Sequence, residues 1–80
     1  MPRYSIRRYF EYCDEYHVDA ETLEEADKKV DDALNLQGVI VEGNPQGVIQ
    51  VADNAHADYT STFGTEIDAK GKWITDPEEL

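Results

Sequence analysis

The residues able to do chemistry in this chain are few, and most of them are carboxylates. Nine of the eighteen Asp and Glu fall between Asp14 and Asp32. A metal or catalytic site would have to draw on Cys13, His17, His56 and nearby acids, and Asp53-Asn-Ala-His56-Ala-Asp58 is the compact cluster that offers them. That cluster has neither the alternating ligands and central Gly of a calcium loop nor a zinc spacing. It reads as a solvated loop rather than a metal site. Cys13 and His17 are four apart, but across a turn and a strand, and they read as an ordinary hairpin cysteine and its neighbour rather than as a thiol nucleophile and its base. Gly43 and Gly47 flank Pro45 with no helix following, so no phosphate-binding loop is present. No catalytic residue, cofactor or metal is expected.

The acidic stretch has spacing with physical content. Carboxylates three and four apart on a helix lie about 5 to 6 Å from one another, comparable to the phosphate repeat of a nucleic-acid strand. Glu21, Glu24, Glu25, Asp31 and Asp32, with Asp27 beside them and Asp14, Glu15 and Asp19 as an extension, could imitate a phosphate row. Such a row would attract a Lys/Arg groove through fast, salt-sensitive association. Two plainer readings stand beside it: a solvated amphipathic helix face that keeps the protein soluble, and adaptation to high salt. Lys28 and Lys29 interrupt the acids and weaken the mimicry.

Composition narrows the classes. Eighty residues with 7 Lys and Arg against 18 Asp and Glu carry a net charge of −11, a sign that disfavours direct binding to nucleic acid or anionic lipid. Residues 1–12 hold Arg3, Arg7 and Arg8 against Glu11, a net of +2, so the rest of the chain carries −13. A single cysteine excludes an internal disulfide, and no apolar run approaches the 18 residues that span a bilayer. The chain reads as one soluble cytoplasmic domain, residues 1–80, monomeric or homodimeric.

The positioning elements follow from periodicity. Tyr4 to Tyr12 alternates as a strand, with Tyr4, Ile6, Phe10 and Tyr12 on one face and Ser5, Arg7, Tyr9 and Glu11 on the other. Arg8 falls on the apolar face, so its head must reach water or a carboxylate. Tyr4, Tyr9, Tyr12 and Tyr16 suggest either a stacking platform for bases or, given the charge, a small sheet core. Tyr9 points with Arg7 to the opposite face. Cys13-Asp14-Glu15 is expected to turn into a second strand, Tyr16 to Ala20.

Thr22-Leu-Glu-Glu25 is a capping box. It opens a helix whose Leu23, Ala26, Val30, Ala33 and Leu34 form one apolar stripe, with Gly38 as its stop. Val39 to Glu42 and Val48 to Val51 read as a second hairpin around Gly43-Asn-Pro-Gln-Gly47, and Asp53 to Asp58 as a loop. Tyr59 to Ile67, a type I turn at Asp68 to Gly71, and Lys72 to Ile74 make a C-terminal hairpin, followed by a flexible tail at residues 75–80. The fold class is α+β: an antiparallel sheet of four to six strands packed on one helix, a ββαββ core plus a C-terminal hairpin.

By size, charge and the ββαββ pattern of Tyr4 to Val51, the chain resembles the small phage-encoded anti-CRISPR and antirestriction proteins, some of them DNA mimics. The strand-to-helix junction Val-Asp-Ala-Glu-Thr-Leu-Glu-Glu-Ala, Val18 to Ala26, is of the type they use. The resemblance covers about two thirds of the chain and assigns no functional residue. It implies a stoichiometric, non-enzymatic inhibitor that occupies the basic nucleic-acid-binding surface of a defence complex such as a CRISPR effector. The alternatives are a structural or regulatory α+β module that pairs through a sheet edge or its aromatic patch, and a small metal-dependent enzyme using Asp53, His56 and Asp58.

Overall fold

The computed structural model describes residues 1–9, 12–55 and 61–80. Five antiparallel strands and one helix make up the described chain: β1 (Arg3–Tyr9), β2 (Tyr12–Asp19), α1 (Leu23–Ala33), β3 (Ile49–Ala55), β4 (Ser61–Ile67) and β5 (Glu78–Glu79). The strand order is β3-β2-β1-β4-β5, so the N-terminal hairpin sits in the middle. The α+β class and its antiparallel sheet agree with the sequence reading. The second hairpin of that reading does not form.

Registers fix which side chains share a face. Ile6 lies opposite Tyr16 and Gly64, and Tyr4 opposite Val18 and Glu66, and these positions face α1. Ser5 lies opposite His17 and Thr65, and Arg7 opposite Glu15 and Phe63, on the helix-free face. The core on the helix side is Ile6, Tyr16, Val18, Ala20, Ala26, Val30, Ala33 and Val48, with Tyr4, Leu23 and Ile40 packed against it. Full burial of side chains the size of Ile6, Val18 and Val30 is worth about 1.5 to 3 kcal/mol each. Ala26 and Ala33 keep the helix close to the sheet, and Gly64 leaves room for Leu23.

Thr22 caps α1 as predicted, its Oγ1 accepting from the Glu25 amide at 3.2 Å, while Glu25 itself reaches Lys29 at 3.4 Å. The helix stops at Ala33, earlier than the Gly38 stop expected. The cause is Asn35, whose Oδ1 accepts from the amides of Gln37 (2.9 Å) and Val39 (3.0 Å) and so offers them an alternative to helical carbonyls. Gly38, at φ 77°, closes that turn instead.

Asn44 similarly replaces the expected hairpin. Its Nδ2 donates to the carbonyls of Val41 (2.8 Å) and Val48 (3.0 Å), and its Oδ1 accepts from the Val48 amide at 2.9 Å. Those backbone groups are therefore taken, and residues 49–55 pair with β2 as β3. Cys13 to Glu15, expected as a turn, are strand residues in β2, and Asp53 to Ala55, expected as loop, belong to β3; residues 56–58 of that loop lie outside the described residues.

The Asp68 turn forms as read. The Gly71 amide donates to the Asp68 carbonyl at 3.0 Å, Gly71 sits at φ 83°, and Trp73 bridges Ile67. Where a flexible tail was expected, residues 75–80 run beside β4. The Thr65 hydroxyl donates to the Thr75 carbonyl at 2.6 Å, Glu78 and Glu79 pair with Gly64 and Phe63, and the Leu80 amide donates to the Thr62 carbonyl at 2.8 Å.

A Cβ at Gly64 would stand 2.5 Å from Leu23 Cδ1, 3.0 Å from Leu23 Cγ and 3.2 Å from Ile6 Cδ1. Gly64→Ala is therefore expected to lower unfolding free energy in urea by about 1 to 3 kcal/mol through overpacking. Combined with Leu23→Ala, the loss should be less than the sum of the two single losses; strict additivity would show that the contact is not tight.

Candidate functional site

The acids singled out by sequence do not form one row. Asp14 is on the helix side of β2, half-buried, with the Tyr16 hydroxyl 3.5 Å from its Oδ2. Glu15 is on the helix-free face, where its Oε2 accepts from the Ser5 hydroxyl at 2.8 Å and lies 2.9 Å from His17 Nε2. Asp19 is paired to Arg3 at 2.9 Å, and its carbonyl accepts from Lys29 Nζ at 2.9 Å. These three serve the sheet. Of the three, Glu15 lies on the face away from α1, whereas Asp14 shares the helix side with Arg8 and the Asp19 carbonyl is held by Lys29 of the helix.

On the helix, Asp31 is also committed. Arg8 donates through Nη2 to Asp27 Oδ1 (2.7 Å) and to the Asp27 carbonyl (3.1 Å), while its Nη1 meets Asp31 Oδ1 at 2.7 Å. Burial alone would lower the Arg8 pKa, but the hydrogen bonds and charges of Asp27 and Asp31 outweigh it and hold the guanidinium firmly protonated. Of the two outcomes that its position allowed, water or a carboxylate, the apolar-face arginine takes the second. Glu25 is paired with Lys29. Glu21, Glu24 and Asp32 are exposed and, among the described residues, without an ion pair.

Glu66 joins them, a residue that sequence reasoning missed. It faces α1 from β4 opposite Tyr4. Desolvation first, then the charges of Glu66, Glu21 and Glu24, push the Tyr4 phenol above its ordinary value of 10.0. Three acids, one from β4, one from α1 and one from the segment just before the helix, therefore act on one hydroxyl near the N-terminal end of the helix. Nothing local in the sequence links position 66 to positions 21 and 24; only the β1/β4 register does.

The other face of the sheet gathers different chemistry. Arg7 lies over the Trp73 ring with its guanidinium carbon 4.0 Å from the centroid, and Tyr9 meets Phe63 edge-on at 5.8 Å and 82°. Sequence placed Arg7 and Tyr9 on this face; Trp73 arrives there through the Asp68 turn. The tyrosines do not make a platform: Tyr16 is buried in the core, Tyr4 is half-buried against it, and Tyr9 is on the opposite face. The Tyr12 and Cys13 side chains, His56, Asp58 and the Asp53 side chain lie outside the described residues. Among the described residues no group of three or more His, Cys, Asp or Glu could hold a metal ion, and no helix is long and apolar enough to cross a membrane.

No protein-family model, curated protein or solved structure matches this chain.

The Arg3–Asp19 pair gives a pH prediction. The Arg3 hydrogen bond, opposed by slight desolvation and reinforced by the Arg3 charge, holds the Asp19 pKa below its ordinary 3.8. A depressed carboxylate pKa stabilises the folded state above the unfolded value and loses that contribution as pH falls through the folded one. Asp19 followed by carboxyl-carbon NMR should titrate below 3.8, and in Arg3→Met it should return to that value. An unchanged midpoint in the variant would show that the pair is not held in solution.

Proposed function

We propose that the protein is a non-enzymatic acidic binding module that occupies the basic, nucleic-acid-binding surface of a partner protein. The observation that carries this reading is the distribution of charge. Arg3, Arg8 and Lys29 are spent on Asp19, Asp27, Asp31 and Glu25, which leaves Glu21, Glu24, Asp32 and Glu66 as uncompensated negative charge on and beside the helix. With a net charge of −11, the surplus favours a cationic partner and fast electrostatic association. The resemblance to anti-CRISPR and antirestriction proteins makes a CRISPR effector the first partner to test, with DNA mimicry as the mode of inhibition.

The reading concerns fewer acids than the sequence suggested. Glu15 and Asp19 belong to the sheet, and Asp31 holds the helix in place. Lys28 stays exposed amid the outer acids, so the row is a broken one. Binding is then expected to depend on Glu21, Glu24 and Asp32 more than on Asp14, Glu15, Asp19, Glu25 or Asp31.

The test is displacement of DNA from a CRISPR effector complex titrated with the protein. The wild type should reduce DNA binding. The triple variant Glu21→Lys, Glu24→Lys, Asp32→Lys should slow association by at least about tenfold at low salt, with a smaller change in dissociation. Full DNA binding at saturating protein would remove the CRISPR effector as partner, and an unchanged association rate in the triple variant would remove the acidic face as the contact.

A further inference from the structure

Arg7 differs from the other two arginines. Arg3 and Arg8 each have a carboxylate within 2.9 Å, whereas Arg7 has none among the described residues. Its Nη1 donates a long bond of 3.4 Å to the Tyr9 hydroxyl, and its Nε is enclosed with no hydrogen-bond partner. The nearest cross-strand carboxylate, Glu15, directs its Oε2 to Ser5 and His17. In a chain with 18 acids, an arginine is thus kept short of its hydrogen-bonding capacity. Buried donors are seldom left so without a reason.

The surroundings say what would complete it. Arg7, Tyr9, Phe63, Trp73 and Pro77 line a surface pocket of about 210 Å³, room for roughly seven water-sized groups. Trp73 covers one face of the guanidinium, and Phe63 and Pro77 add apolar wall. Stacking on an aromatic ring leaves the in-plane edges of a guanidinium unblocked, and with Nε enclosed it is the terminal Nη1/Nη2 edge that a planar carboxylate in the pocket would match. The more distant acids are screened beyond a Debye length of about 8 Å at physiological salt, whereas Glu15, opposite Arg7, and Glu79, opposite Phe63, lie inside it, so an anion must be held by the guanidinium itself.

We propose that this pocket binds a small monocarboxylate bearing a flat apolar group, the carboxylate on Arg7 and the apolar group against Tyr9, Phe63 and Pro77. The site is on the face of the sheet opposite the helix and is independent of the acidic surface. Phosphate esters fit less well, because their second charge adds repulsion and their polar oxygens meet an apolar wall.

Trp73 is the only tryptophan in the chain and reports directly on the pocket. Phenylacetate should change its fluorescence saturably and shift the Arg7 Nε–H resonance. Phenylacetamide, of the same shape without the charge, should bind at least about tenfold more weakly, the lower end of what a charge-assisted hydrogen bond contributes. Arg7→Met, folded by circular dichroism, should lose the preference for the acid. Equal affinity for acid and amide, saturation without a shift at Arg7, or no saturable change at millimolar phenylacetate would each overturn the proposal. The acid and amide comparison uses the unmodified protein and decides the matter even if Arg7→Met does not fold.

Discussion

The position of the helix depends on one guanidinium. Arg8 stands on the apolar face of the central strand, where an unpaired charge would carry a large desolvation penalty. Asp27 and Asp31, one helical turn apart, take its two terminal nitrogens at 2.7 Å each. Because those nitrogens are fixed relative to each other, the pairing sets both the rotation of α1 about its axis and its place along β1. Ala26, Val30 and Ala33 are turned to the sheet as a consequence. In so small a core, whose completely buried side chains among the described residues are no larger than Ile6 with Tyr16 close behind at 3 % exposure, that constraint supplies specificity that packing alone would leave loose.

The same contact sorts the acids. Asp27 and Asp31 become structural, as Asp19 does through Arg3, and what remains outward is a smaller set centred on Glu21, Glu24 and Asp32 with Glu66 alongside. The sheet itself separates this negative surface from the Arg7 and Trp73 pocket, which shares its face with a polar seam where Glu15 holds Ser5 and His17 and where Thr65 bonds Thr75. Two surfaces of different chemistry are therefore carried on opposite sides of one sheet.

Much of this was legible in the sequence because it is local. Alternation gave the faces of Tyr4 to Tyr9 and of Tyr16 to Asp19 but misplaced the boundary between the two strands, since Tyr12 to Glu15 belong to β2; Thr22 gave the helix start, and Asp68 with Gly71 gave the last turn. Position alone required that the Arg8 head reach water or a carboxylate, and the structure has the carboxylates. What was not legible depends on side chains acting on the backbone or on distant register. Asn35 ends α1 before Gly38, and Asn44 takes the hydrogen bonds of the hairpin expected around Pro45. Glu66 meets Glu21 and Glu24 only through the β1/β4 pairing. The division of the acids could not be read from charge spacing, since Asp31 and Asp32 are adjacent in sequence and differ in role.

A double-mutant cycle between Arg8→Met and Asp27→Asn, read by urea unfolding, tests the Arg8 clamp most directly. A coupling energy of about 1 to 3 kcal/mol, within the range for residues sharing a hydrogen-bonded ion pair, is the predicted result. Coupling indistinguishable from zero, with the helix amides as protected from hydrogen exchange in Arg8→Met as in the wild type, would contradict it.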